Sequence, residues 1–172
     1  EPNILRTAQI LIDVKIAMPI LLGREAVIRE RMADLRITLE SAAIVDPAHS
    51  SQGSGYADEL YRLRKRKGVM RSQAGELVLN HNYFGSLMVA LGDADALVGG
   101  LTQHYPETIR PGLEVIPVRE GLRRVAGVYT IPTNHGMYFT ADATVTMEPS
   151  PEVTCVVATL ATHHAHRYAT SR

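Results

Sequence analysis

The sequence predicts an α/β fold, a three-layer αβα arrangement of a mostly parallel sheet with an antiparallel hairpin near its end. Three observations carry this. Segments with helically spaced apolar residues alternate with short apolar runs bounded by Gly or Pro, and the order helix, strand, helix, strand marks a parallel sheet. The first run, "PILLG", is apolar on both alternating sides, as strands covered by helices on both faces are. Toward the end, two runs rich in β-branched and aromatic residues flank "PTNH", the pattern of a hairpin.

Taken in order, "NILRTAQILIDVKI" (3–16) sets Ile4, Ala8, Leu11 and Ile12 at helical spacing and reads as an amphipathic helix. Pro19 opens the first strand, which ends at Gly23, and "REAVIRERMADL" follows as a helix with Gly23 at its entry. "SAAIVDP" is the second strand, stopped by Pro47, and "AHSSQGSG" (48–55) is a flexible polar loop. "YADELYRLRKRKG" is a helix with Asp58 and Glu59 in its first turn, four cations in its last, and Gly68 as its stop. Two more helices follow, "SQAGELVLN" and "NYFGSLMVALG", the second with Phe84, Leu87, Met88 and Leu91 in one stripe. "DALVGG" is predicted as a third strand. "YPETIRPGLEVI" is then a helix with Pro106 near its first position and Pro111 one turn deeper, where it leaves a carbonyl unpaired and bends the axis. In the hairpin, Asn134 and Gly136 are placed to supply positive φ, and its strands are expected to make the sheet mixed. Ser150 and Pro151 open a last helix with Val153, Val156, Val157 and Leu160 on one face. The chain starts and stops on helices that lack a neighbouring strand, which predicts a piece of a longer polypeptide.

Composition narrows the partners. A chain of 172 residues supports one domain with a sizeable core, and 18 basic residues against 18 acidic give no net charge to draw it to nucleic acid or an anionic membrane. The absence of Trp and the presence of only two Phe leave few platforms for stacking bases. The longest apolar stretch is broken by Asp13, Lys15 and Pro19 and does not span a bilayer. A single Cys155 excludes an intrachain disulfide and suits a reducing cytoplasm; within an apolar helical stripe it is expected to be buried and inert.

Four places invite chemistry. "RLRKRKG" (62–68) is either a solvated helix end complementing the dipole or an anion clamp. "GGLTQHYPETIRP" offers the clamp a partner, because a strand's carboxyl end followed by a helix N-terminus is the usual ligand edge of an open α/β sheet. The glycines permit close backbone approach there, and Thr102, His104 and Tyr105 are hydrogen-bonding candidates. The pattern matches neither GxGxxG nor a P-loop. His163, His164 and His166 read as a polar helix flank rather than a metal site, since adjacent His163 and His164 diverge. Asp93 and Asp95 in "GDAD" read as a turn beside a helix-stop glycine, and no serine sits in a GxSxG elbow.

"KRKGV", "NYFGSLMVALGDADALVGGL", "ETIRPGLEVI" and "FTADATVTMEPSPE" occur in this order in the phosphate acetyl/butyryltransferase family, and the chain resembles that family from about Ile4 to Arg172. The resemblance implies a two-part phosphotransacetylase-like (isocitrate-dehydrogenase-like) fold with a cleft for CoA thioesters and phosphate. It implies that residues 1–172 are a partial domain lacking its first strand and its second half. In the catalytic transferases the glycine-ending strand is followed by a Ser-Thr pair and then Thr-x-Arg-Pro. Thr108-Ile109-Arg110-Pro111 match, but His104-Tyr105 stand in place of the Ser-Thr pair. That departure resembles the version of the domain appended to bacterial NADP-dependent malic enzymes, which implies an acetyl-CoA-sensing, inhibitory domain with no catalytic residue of its own.

Carried over by position, Arg64 and Arg110 are the arginines expected at phosphate or the CoA moiety, with Lys67, Thr102, His104 and Tyr105 beside them and no metal ligand. NADP and a divalent metal are expected only in a malic-enzyme domain outside this chain. The alternative is a phosphate acetyltransferase converting acetyl-CoA and phosphate to acetyl phosphate and CoA. A third reading is a scaffold for homo-oligomers; in all three no nucleic acid or membrane partner is expected.

Overall fold

The computed structural model describes residues 1–118, 120, 125–142 and 150–170. The chain divides into two compact units, Glu1–Pro117 and Val118–Arg172.

In the first unit the predicted βαβ beginning is present. Helix α1 (Pro2–Asp13) precedes strand β1 (Ile20–Leu22), helix α2 (Glu25–Leu35) crosses over, and β2 (Ala43–Val45) pairs with β1 in parallel. The register sets Leu21 opposite Ile44 and Leu22 opposite Val45. Because successive strand residues point to opposite faces, this register sorts the core into two layers. Leu21 and Ile44 pack with Leu5, Ala8, Ile12, Ile28 and Met32 of α1 and α2. Leu22 and Val45 pack on the other side, against a cluster that includes Tyr56, Leu60, Phe84, Leu87 and Val115. Helices therefore cover both faces of the parallel pair.

The second helical layer comprises α3 (Gly53–Arg64), α4 (Arg71–Val78), α5 (His81–Leu91) and α6 (Tyr105–Val115). Helix α3 begins at Gly53, inside the segment expected as loop, so Asp58 and Glu59 fall in its second turn rather than its first. A 3₁₀ turn (Lys65–Lys67) tightens its end, and Gly68 at φ 90° stops it in the left-handed conformation that costs a glycine no Cβ clash. Helix α5 opens with the Asn80 side chain accepting from Asn82 N–H at 2.9 Å and closes on Gly92 at φ 85°. Phe84 and Leu87 are fully buried and Met88 nearly so, whereas Leu91, the fourth member of the expected stripe, is about half exposed in the last turn. Asp93 is a turn residue as predicted: its N–H donates to Met88 O at 2.8 Å and its carboxylate accepts the Tyr56 hydroxyl at 2.6 Å.

Two strand expectations fail. "DALVGG" (95–100 with its leading Asp) is not a strand, because among the described residues no neighbouring backbone pairs with it; Val98 is 94% exposed. Apolar composition alone specifies a strand only when a partner is present to take its hydrogen bonds. The hairpin does form, with β3 (Val128–Thr133) and β4 (Gly136–Ala141) antiparallel around Asn134 and His135, but as a separate two-stranded sheet rather than as part of a mixed one. Gly136 supplies the positive φ, at 136°, and Asn134 does not.

In this second unit α7 (Pro151–Thr170) packs on β4, and Phe139 meets the rings of His164 and Tyr168 edge-on. Val153, Val157 and Leu160 are half-buried, while Val156 and Cys155 are exposed. Cys155 is two residues from Val153, about 200° round a helix, which explains why the expectation of a buried thiol fails. Among the described residues no helix is long and apolar enough to cross a membrane.

Candidate functional site

Proline makes the local geometry of α6 legible. Pro111 lacks an N–H, so the carbonyl four residues back, that of Glu107, has no helical donor. The Asn82 side-chain amide fills the gap, donating to Glu107 O at 3.2 Å and also to the side-chain carbonyl of Gln103. Asn82 is only 7% exposed. It thus ties α5 to the connection before α6 and to α6 itself.

The double glycine lies in this connection. A Cβ added to Gly99 would sit 3.5 Å from Asn82 Oδ1, and one on Gly100, at φ 107°, would sit 3.4 Å from Thr108 Cγ2. The close approach that these glycines permit is therefore to the chain's own Asn82 and Thr108. His104 caps α6 through its backbone, its carbonyl accepting from Glu107 N–H at 3.0 Å and Thr108 N–H at 3.2 Å.

Of the six candidate residues Arg64 is tied to other side chains, and Arg110 stands one helical turn before the carboxylate that Arg64 contacts. Arg64, the last residue of α3, points a guanidinium nitrogen, Nη2, at Glu114 Oε1 at 3.2 Å, with side-chain exposures of 18% and 22% for the two partners. The Tyr83 hydroxyl of α5 donates to the other oxygen, Glu114 Oε2, at 2.6 Å. Glu114 stands four residues after Arg110, on the same face of α6. Burial, then the hydrogen bond to Glu114 and its charge, push the Tyr83 phenol up to about 12, and the positive charges of Arg64 and Arg110 both pull against that rise. Arg64 Nε is buried and has no hydrogen-bond partner among the described residues, an unsatisfied charged donor that is costly to leave so.

The other four candidates are not drawn in. Lys67, Thr102, His104 and Tyr105 are exposed. Among the described residues no side-chain hydrogen bond or ion pair joins them to either arginine. Sequence reasoning missed Asn82, Tyr83 and Glu114. Pro111 signalled that an acceptor needed a donor without saying which side chain supplied it, and the i,i+4 spacing of Arg110 and Glu114 was the one visible hint of the carboxylate.

The sequence pattern described as phosphate acetyl/butaryl transferase matches residues 1–171. The chain belongs to this family. A phosphate acetyltransferase of Nitratidesulfovibrio vulgaris is 33% identical over 165 residues, covering 96% of this chain and 23% of that protein. An NADP-dependent malic enzyme of Salmonella typhimurium is 30% identical over 172 residues, covering 98% of this chain and 23% of the enzyme. The family's fold is shared by a phosphotransacetylase from Staphylococcus aureus, with a TM-score of 0.77 and 27% identity over 89% of this chain and 46% of that one. A phosphotransacetylase from Streptococcus pyogenes has a TM-score of 0.82 at 24% identity, over 92% of this chain and 48% of that one. The chain thus spans less than half the length of these relatives.

Proposed function

We infer that the chain contributes an oxyanion site for acetyl-CoA or phosphate, built on Arg64 and Arg110, and that it serves as an acetyl-CoA-responsive, inhibitory domain of an NADP-dependent malic enzyme. The observation that carries the site is the Arg64–Glu114–Tyr83 cluster, with Arg64 Nε left without an acceptor among the described residues and Arg110 one helical turn before Glu114 on α6. A guanidinium is permanently charged and forked, and suits a phosphoryl group. The regulatory role is supported by His104-Tyr105 at the start of α6, in place of the hydroxyl pair that the resemblance leads one to expect in a transferase, and by likeness to the Salmonella malic enzyme over almost the whole chain. Inhibition requires that acetyl-CoA bind one arrangement of the protein more tightly than another. NADP and the divalent metal of malate oxidation belong to residues outside this chain.

The second reading, a phosphate acetyltransferase, is favoured by the several relatives of that name. There the arginines would stabilise charge on the attacking phosphate and the thioester oxygen. The two readings separate in one pair of assays on the intact polypeptide. Malate-dependent NADP reduction that acetyl-CoA inhibits, without formation of acetyl phosphate, is the expected result. Acetyl phosphate formed from acetyl-CoA and phosphate, with no malate oxidation, would replace the regulatory reading with the transferase.

A further inference from the structure

Glu114 places a negative charge inside a site whose other charges are positive. Among the described residues its two oxygens make two contacts, one with Arg64 Nη2 at 3.2 Å and one with the Tyr83 hydroxyl at 2.6 Å. A carboxylate offers about four acceptor positions, so about half of its accepting capacity is unused. Its side chain is 22% exposed and can still be approached. The donor that lacks an acceptor, Arg64 Nε, belongs to the same planar guanidinium that Glu114 holds. An oxyanion that accepts from Nε therefore comes to rest beside the carboxylate.

Proton content then decides which oxyanion fits. In an ion pair with arginine the carboxylate can only accept hydrogen bonds. A tetrahedral anion with every oxygen ionised meets it as like charge. One that keeps a hydroxyl can turn this O–H toward the carboxylate and make a charge-assisted bond. Inorganic phosphate keeps at least one proton near neutral pH and sulfate keeps none, although the two have nearly the same shape. Resting on the reading of Arg64 and Arg110 as an oxyanion site, we propose that Glu114 is its specificity-determining residue, admitting protonated phosphate and disfavouring fully ionised tetrahedral anions.

The test is calorimetric titration of the full-length protein with inorganic phosphate and with sulfate, near neutral pH and at fixed ionic strength. The wild type is expected to prefer phosphate by at least about tenfold, the size of one hydrogen bond to a charged acceptor. Glu114→Gln keeps the shape and removes the charge, and is expected to tighten sulfate until the two anions bind within about threefold of each other. Tyr83→Phe leaves the charge in place and should retain the preference. Monofluorophosphate, a tetrahedral dianion without a proton, gives an arm that needs no mutation and should bind the wild type as weakly as sulfate does. The proposal is overturned if Glu114→Gln preserves the preference, if Tyr83→Phe abolishes it equally, or if monofluorophosphate binds the wild type as well as phosphate. A wild type that binds none of the three anions would refute the oxyanion reading underneath.

Discussion

The Asn82 amide and the Pro111 ring form one structural unit, and this can be tested by separating them. Asn82→Ala removes the donor to Glu107 O, and Pro111 ensures that no helical N–H replaces it. Asn82 is itself buried and its bond to this carbonyl part-buried, so the loss costs about 1–3 kcal/mol. In a chain of this size each kcal/mol moves the melting temperature by about 2–4 °C, so the variant should melt about 2–12 °C lower. Pro111→Ala restores an N–H that can reach Glu107 O along the helix. In that background the loss of Asn82 should cost less, by about 1 kcal/mol or more, because the acceptor is no longer orphaned. The assay is urea unfolding of the wild type, both single variants and the double variant. Costs that add to within about 0.5 kcal/mol would show that the two residues act independently and would refute the account of α6.

Two further outcomes follow from the same connection and its neighbours. Gly100→Ala should destabilise by about 1–3 kcal/mol because alanine is strained at φ 107°, while Gly99→Ala, which has no positive φ and no atom closer than 3.5 Å to the new Cβ, should be near-neutral; equal effects in thermal unfolding would contradict this. The folded Tyr83 phenol, at about 12, lies above its ordinary value of 10.0, so the unfolded chain releases that proton first as pH rises. Its stabilising contribution is complete below pH 10 and is lost between 10 and about 12. Tyr83→Phe should therefore flatten the alkaline fall in stability across that window. Tyr56, also raised by burial and its bond to Asp93, contributes in both proteins, so parallel curves would show that Tyr83 does not.

Much of the fold could be read from the sequence because local signals and burial agree there. The helical spacing of Ala8 and Ile12, Gly68 at the end of the cationic turn, and Pro106 at the start of α6 each state one local preference that the packing respects, although Ile4, read into the first stripe, is exposed and Leu5 is buried in its place. The two strand misreadings share one cause. Residues 95–100 carry an apolar run that suits a strand, and residues 128–133 and 136–141 alternate well enough to join a sheet, but partner choice is a long-range property that no local pattern encodes. The candidate site divides in the same way. Arg64 and Arg110 stood out by type and by resemblance. Glu114, Tyr83 and Asn82 act across 25 to 50 residues of sequence, and only the packing of α3, α5 and α6 brings them into contact.

The central claim is that the two arginines bind a phosphoryl ligand, and acetyl-CoA titration of the intact protein tests it most directly. Arg110 is exposed, so Arg110→Ala should leave the fold unchanged. Losing a charged hydrogen bond should weaken acetyl-CoA binding by about 10- to 100-fold. An Arg110→Ala protein that is folded and binds acetyl-CoA as tightly as the wild type would contradict the account.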